Sequence, residues 1–295
     1  MPLHDEPRSG GLPYALGAYL IWGLLPLYLM HLRAVPPIEL VGWRIVFTLP
    51  VCLGAVIATR QGTALRAAIA DRKTLALLGL SALLIGANWV IYFIAILEGH
   101  VLAASLGYYI NPLVNVLAGT VFLGERLSRA QWTAVGIAAL GVSLLASGAG
   151  EMLGISLSLA GTFAAYGLLR KLVSTGSLPG LTIEAAILLG PAIAVLAWTA
   201  QGATGVSLGD ATGTSVLIVL SGAITAVPLL LFATAARRMD YSALGFVQFL
   251  SPTLAFLLGL FVFHEPLRPI QLACFVAIWI AIAVFSWDLW RRRAR

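Results

Sequence analysis

The chain has 295 residues, 60% of them hydrophobic and 10% charged, and its mean hydropathy is +0.96. Such a composition excludes a soluble globular domain and implies a polytopic membrane protein. The net charge of +6 needs no nucleic-acid partner, because the basic residues sit at scattered helix ends and in short loops.

Crossing about 30 Å of hydrocarbon as helix takes roughly 20 mostly apolar residues. After a polar tail at 1–13, ten such runs follow, at 14–32, 38–59, 75–97, 101–123, 130–147, 152–169, 181–200, 214–236, 241–263 and 270–290, ahead of a basic tail at 291–295. The runs are continuously apolar and rich in Leu and Ala, whereas barrel strands would be short and alternating. The expected fold is all-α and integral to the membrane. The first run is longer than a typical secretory h-region and lacks a convincing cleavage site, so it is expected to stay in the mature protein.

The first span places Trp22 and Gly23 centrally, with Pro26 one turn on. In the second, Glu39 lies near the start and is expected at the rim, and Arg44 is deeper, about six residues or roughly 9 Å into its helix. A charge at that depth is functional by default, and the bland alternative is pairing with a carbonyl or with Glu39. The third span carries Asn88, Trp89 and Tyr92 just past its centre. In the fourth, Ser105, Tyr108, Pro112, Asn115 and Gly119 share one side. The sixth holds Tyr166, the seventh starts near Glu184, another expected rim residue, and the eighth has Thr225 and Pro228. The ninth presents Gly245, Gln248, Pro252, Ala255 and Gly259.

A proline inside a helix frees the carbonyl four residues earlier, here those of Tyr108 and Gln248. In hydrocarbon an unpaired backbone group costs several kcal/mol, so these kinks should face protein or a wet cavity. Central aromatics read either as packing or as the lining of such a cavity. A buried phenol or indole needs a hydrogen-bond partner in both cases.

The chain also repeats itself at an offset of 140 residues. Leu80 and Ser81 recur as Leu220 and Ser221, Ala95 as Ala235, Pro112 as Pro252, Gly119 as Gly259, and Glu125 as Glu265. Trp22-Gly23-Leu24-Leu25 is echoed by Tyr166-Gly167-Leu168-Leu169. Five spans per half, at 14–147 and 152–290, force the second half to enter the membrane upside down. Of the 18 Lys and Arg, only Arg33 and Arg268 fall in loops on one side, while Arg44 is within a span. The others share the opposite side, which places both termini in the cytoplasm. Two inverted five-helix repeats suit alternating access around a midplane site.

Charge is sparse in the expected chamber. A carrier of phosphorylated solutes should present several convergent Arg or Lys residues, and here there is at most Arg44. His31, His100 and His264 lie at helix ends, and Cys52 and Cys274 are lone thiols in apolar spans. No metal, cofactor or disulfide framework is expected. The absence of HExxH, CxxC or a supported GxSxG argues against an enzyme. A small neutral, zwitterionic or weakly amphipathic solute and the lipid bilayer are the expected partners, and oligomeric state is left open.

The stretch NWVIYFIAILEGHVLAASLGYYINPLVNVLAGTVFLGERLSRAQWTAVGIAALGV (Asn88 to Val142) closely resembles the RarD type of EamA-domain transporters in the drug/metabolite transporter superfamily. AYGLLRKLV (Ala165 to Val173) and ALGFVQFLSPTLAFLLGLFVFHEP (Ala243 to Pro266) extend the resemblance through the second half. It implies a ten-helix basket and export across a bacterial inner membrane, with amino acids, aromatic ones among them, as the solutes of better-understood relatives. Carried over residue by residue, it points to Trp22, Trp89, Tyr108, Tyr166 and Gln248 as cavity residues, beside Asn88 and Tyr92. Pro26, Pro112, Gly119, Pro228, Pro252 and Gly259 are the expected hinges. The sequence departs from the subgroup at Gly42-Trp43-Arg44, where a His usually precedes the Arg. Competing readings are an exporter of drugs and toxic compounds with a looser aromatic pocket, and a membrane receptor or scaffold.

Overall fold

A computed structural model describes residues 10–147, 153–202, 205–264 and 266–293. Glu265, most of the link between the halves and the outer ends of both tails lie outside the described residues. The elements are α1 (Gly11–Leu29), a 3-10 turn (Met30–Leu32), α2 (Pro37–Ala58), α3 (Gly62–Ala70), α4 (Arg72–Leu97), α5 (Val101–Leu123) and α6 (Arg129–Ala146). They continue as α7 (Leu153–Leu172), α8 (Ser177–Ala200), α9 (Thr212–Arg238), α10 (Tyr241–Gln248), α11 (Leu250–Phe261) and α12 (Pro269–Arg293). All are helical among the described residues. Among the described residues ten spans are long and apolar enough to cross a membrane, with α10 and α11 counted as one.

Local chemistry sets the ends. Pro37 opens α2, where its missing N–H costs nothing. Asp71 caps α4 by accepting from the Lys73 and Thr74 amides, each at 3.2 Å. The Thr74 hydroxyl and these amides hold its carboxyl below the usual aspartate range. Ser128 and Gln131 form a reciprocal capping box at the start of α6. Gly124, with φ of 65°, ends α5 in the left-handed conformation that glycine takes without strain.

The two symmetric prolines differ in outcome. Pro112 leaves α5 continuous, whereas the ninth span divides into α10 and α11 at Phe249, three residues before Pro252. There the Phe249 amide bonds the Phe246 carbonyl at 3.3 Å, a tightened turn just ahead of the ring.

The principal packings are α6 with α12, α2 with α8, α5 with α10, α5 with α7, α1 with α11, α1 with α9, α4 with α7, α2 with α9 and α4 with α8. Apolar side chains gather in two main clusters. One surrounds Tyr19, Tyr166 and Phe232, and the other surrounds Phe246, Phe249 and Phe285. Lipid tails are as apolar as these side chains, so close fit rather than exclusion of water holds the helices together. At Gly222 of α9 a Cβ would overlap the backbone of Phe47 in α2. That close approach sets α9 directly behind Arg44.

Candidate functional site

Arg44 lies in the second turn of α2. Its Nε donates to Thr225 Oγ1 on α9 at 2.8 Å, and its guanidinium lies 5.7 Å from the ring centroid of Trp89 on α4. Tyr28, Tyr92 and Tyr108 are within electrostatic reach of the same guanidinium. Tyr92 and Tyr108 meet edge to face with centroids 6.0 Å apart. Tyr108 is 51% exposed although it stands well inside α5, and Arg44, Trp89 and Tyr92 are half-buried. Arg44 comes from a helix packed on α8 and α9, and Tyr108 from one packed on α7 and α10. One cation thus sits in an aromatic recess with open space beside it.

Beneath the recess is a small cavity lined by Ile45, Thr48, Trp89, Tyr166, Glu184 and Thr225, among others. Its volume is ≈ 20 Å³, room for about one water. At its far end the Glu184 carboxylate accepts from Ser81 Oγ and from Arg170 Nη1, the latter at 3.4 Å. Arg170 Nη2 donates to the Ser177 carbonyl at 2.8 Å. The guanidinium fits because residue 180 is glycine, where a Cβ would collide with it.

Spacing along the helices puts Glu39 and Glu184 at the rim, but the structure buries both, at 0% and 1% exposure. Glu39 accepts from Trp43 Nε1 at 2.9 Å, from the Ser207 amide at 2.7 Å and from Ser207 Oγ at 3.0 Å. Such a set of donors replaces the lost hydration of the carboxylate. Because α8 starts at Ser177 rather than near 181, Glu184 lies as far into its helix as Arg44 does into α2, and a neighbouring loop and helix cover Glu39 and Glu184 from the side. Glu39 is therefore committed elsewhere and does not pair with Arg44. Trp43 is a donor to Glu39 and stacks on Phe47 at 5.6 Å.

The remaining expected residues divide by role. Trp22 lies in an aromatic cluster with Tyr19, Phe163 and Phe232, at centroid distances of 5.7, 5.8 and 5.8 Å. Tyr166 stacks on Phe232 in the same cluster and lines the cavity beside Glu184. Asn88 ties α4 to α7 through the Leu159 carbonyl at 2.8 Å and Thr162 Oγ1 at 2.9 Å. Gln248 accepts from Asn115 Nδ2 at 2.6 Å, joining α10 to α5. Pro112, Gly119, Pro228, Pro252 and Gly259 are buried, and Pro26 is half-buried. The recess thus brings together Arg44, Trp89, Tyr92 and Tyr108, while Asn88 and Gln248 pin helices.

The face carrying the start of α1 and the end of α9 is cross-linked by hydrogen bonds, beside an open surface pocket of ≈ 560 Å³ lined by Glu125, Lys171, Arg237 and Arg238 among others. Lys171 Nζ donates to the Ala236 and Met239 carbonyls at 2.9 and 2.6 Å, capping the end of α9. Arg237 donates to the carbonyls of Val173, at 3.2 Å, and Thr175. Arg238 reaches the Tyr14 hydroxyl at 3.1 Å. Glu125 caps α10, taking the Tyr241 amide at 2.6 Å, the Ser242 amide at 2.8 Å and Ser242 Oγ at 2.6 Å. A carboxylate there also meets the positive end of the helix.

Thr225, Tyr28, Arg170 and Ser81 were not singled out by sequence reasoning as site residues. Arg170 was hidden among the basic residues that set orientation. The signal that finds it is an acid, Glu184, facing it across the short α7–α8 hairpin. Ser81 carries no local signal beyond being repeated as Ser221.

Comparison with known proteins adds lineage to this geometry. The model of the EamA-like transporter family matches residues 9–147. The chain is 39% identical to a protein named RarD from Streptomyces exfoliatus, over 100% of this chain and 94% of that protein. It is 41% identical to an uncharacterized transporter of Pseudomonas aeruginosa, over 96% and 95% of the two chains. A protein of known crystal structure shares the fold with a TM-score of 0.74 at 22% identity, covering 95% of this chain and 98% of its own.

Proposed function

The chain belongs to the RarD-type EamA transporters of the drug/metabolite superfamily, and from that membership we propose that it is a secondary exporter of amino acids, neutral and aromatic ones included, or of similar small metabolites. It works by alternating access across the bacterial inner membrane. The observation that carries this reading is the aromatic recess around Arg44 within the apolar spans, with Tyr108 half exposed in it. The opposite helix ends are tied together by Lys171, Arg237, Arg238 and Glu125, around a surface pocket of ≈ 560 Å³.

Packing supports two inverted copies. Exchanging the first span with the sixth, the second with the seventh and so on maps α1 with α9 onto α4 with α7. It likewise maps α5 with α7 onto α1 with α11, and α2 with α9 onto α4 with α8. The pairs α2 with α8, α5 with α10 and α6 with α12 map onto themselves. The loop charges support a cytoplasmic position for the tied face. Export then requires that these ties release while the recess closes, with Pro26, Pro112, Pro228 and Pro252 and the glycines Gly119 and Gly259 as hinges.

Purified protein in liposomes tests this directly. Labelled phenylalanine loaded inside should leave faster than from empty liposomes, with and without a pH gradient. Binding without flux for phenylalanine and for a panel of the other amino acids would leave a receptor instead, and competition by unrelated cationic dyes would favour a drug exporter.

A further inference from the structure

We infer that Arg44 is the carboxylate-recognition group of the recess, so that the site selects planar, apolar monocarboxylates whether or not they carry an α-amino group. This rests on the transport reading above and narrows its substrate class.

An arginine within an apolar span is costly unless something answers its charge. Among the described residues no carboxylate lies within ion-pair range of Arg44. Glu39 is taken by Trp43 and Ser207, and Glu184 by Ser81 and Arg170. Thr225 accepts from Nε only. The two terminal nitrogens hold a forked pair of donors that matches a carboxylate's two oxygens, and the half-buried position leaves room for a ligand to arrive.

The charge count limits the ligand to a monoanion. Among the described residues no second Lys or Arg joins Arg44 in the recess, and Arg170 is already committed to Glu184 and Ser177. A dianionic phosphate would enter with half its charge unanswered. The walls define the rest of the ligand. Trp89, Tyr92 and Tyr108 offer ring surface, and Ile45 and Leu229 line the cavity below. The two nearest acids are both occupied, so nothing in the recess reads an ammonium group as a full charge. An aromatic acid lacking that group should therefore bind as well as the amino acid.

The test uses the full chain in nanodiscs with Cys52→Ala and Cys274→Ala, and a single reporter thiol from Tyr108→Cys. Labelling by an anionic and by a cationic methanethiosulfonate is followed by intact mass, with and without Arg44→Gln. The ratio of anionic to cationic rates should be about tenfold higher with Arg44 present. Arg44→Lys should keep much of that preference, and thermal unfolding verifies that each variant is folded. Phenylalanine and 3-phenylpropionate should both slow labelling, phenylalaninamide should not, and Arg44→Gln should abolish the protection. Equal rate ratios with and without Arg44, or protection by the amide equal to that of the acid, overturn the inference and leave the exporter reading standing. A thiol at 108 that reacts with neither reagent overturns both, because the recess is then dry.

Discussion

Arg44 and Arg170 both lie between helices of the bundle, and their surroundings are opposite. Arg170 is 2% exposed and is held by Glu184, the Ser177 carbonyl and the notch at Gly180. Arg44 is half-buried, with one neutral side-chain partner and a tryptophan face. The first has been neutralised by the fold, and the second waits for charge from outside. An intramembrane cation is therefore best judged by what answers it rather than by depth.

The comparison breaks most sharply at the paired arginine. Arg170→Met leaves Glu184 buried with no countercharge and should cost about 3–5 kcal/mol, read as a lowered unfolding midpoint in detergent. Adding Glu184→Gln should recover most of the loss. A single variant as stable as the parent would show that the pair holds nothing together.

Arg44→Met should do the reverse. Removing an unpaired charge from an apolar span leaves the midpoint unchanged or higher, while solute flux falls about tenfold, equivalent to roughly 1.4 kcal/mol of lost recognition. A drop in stability as large as that of Arg170→Met would make Arg44 structural.

Next in size is the tie at Glu125. Glu125→Gln weakens a charged cap over the start of α10, with an expected loss of about 1–2 kcal/mol. Because Tyr241 at the start of α10 donates its hydroxyl to the carbonyl of buried Ala164 in α7 at 2.8 Å, labelling of Ala164→Cys should rise in parallel. Unchanged labelling with lowered stability would separate capping from gating. The smallest effect is at Ser128→Ala, which removes a capping box far from the recess. It should cost about 1 kcal/mol and leave flux as it was.

The spans were legible because continuous apolar runs of this length have few other readings. The short α3 was not, since nine residues interrupted by Arg66 read as a basic loop. The break at Phe249 was half legible: Pro252 marks the place, but the identical mark at Pro112 leaves α5 whole. Within the candidate site, Arg44, Trp89, Tyr92 and Tyr108 were visible from depth and residue type. The burial of Glu39 and Glu184 was not, because position along a helix says nothing of what leans over it, and α8 starts at Ser177 rather than near 181. Trp22 and Tyr166 show the same limit, for central depth alone does not decide between Phe232 and an open recess.

The joint at Phe249 has a mechanical consequence. Its two arms rest mainly on different neighbours, α10 on α5 and α11 on α1, so the ninth span is built as two arms rather than one rod. The α11 arm is about 18 Å long, and a tilt of about 10° there would swing its tip by roughly 3 Å, about the width of a water molecule. A stroke of that size can wet or dry a crevice without unwinding any turn.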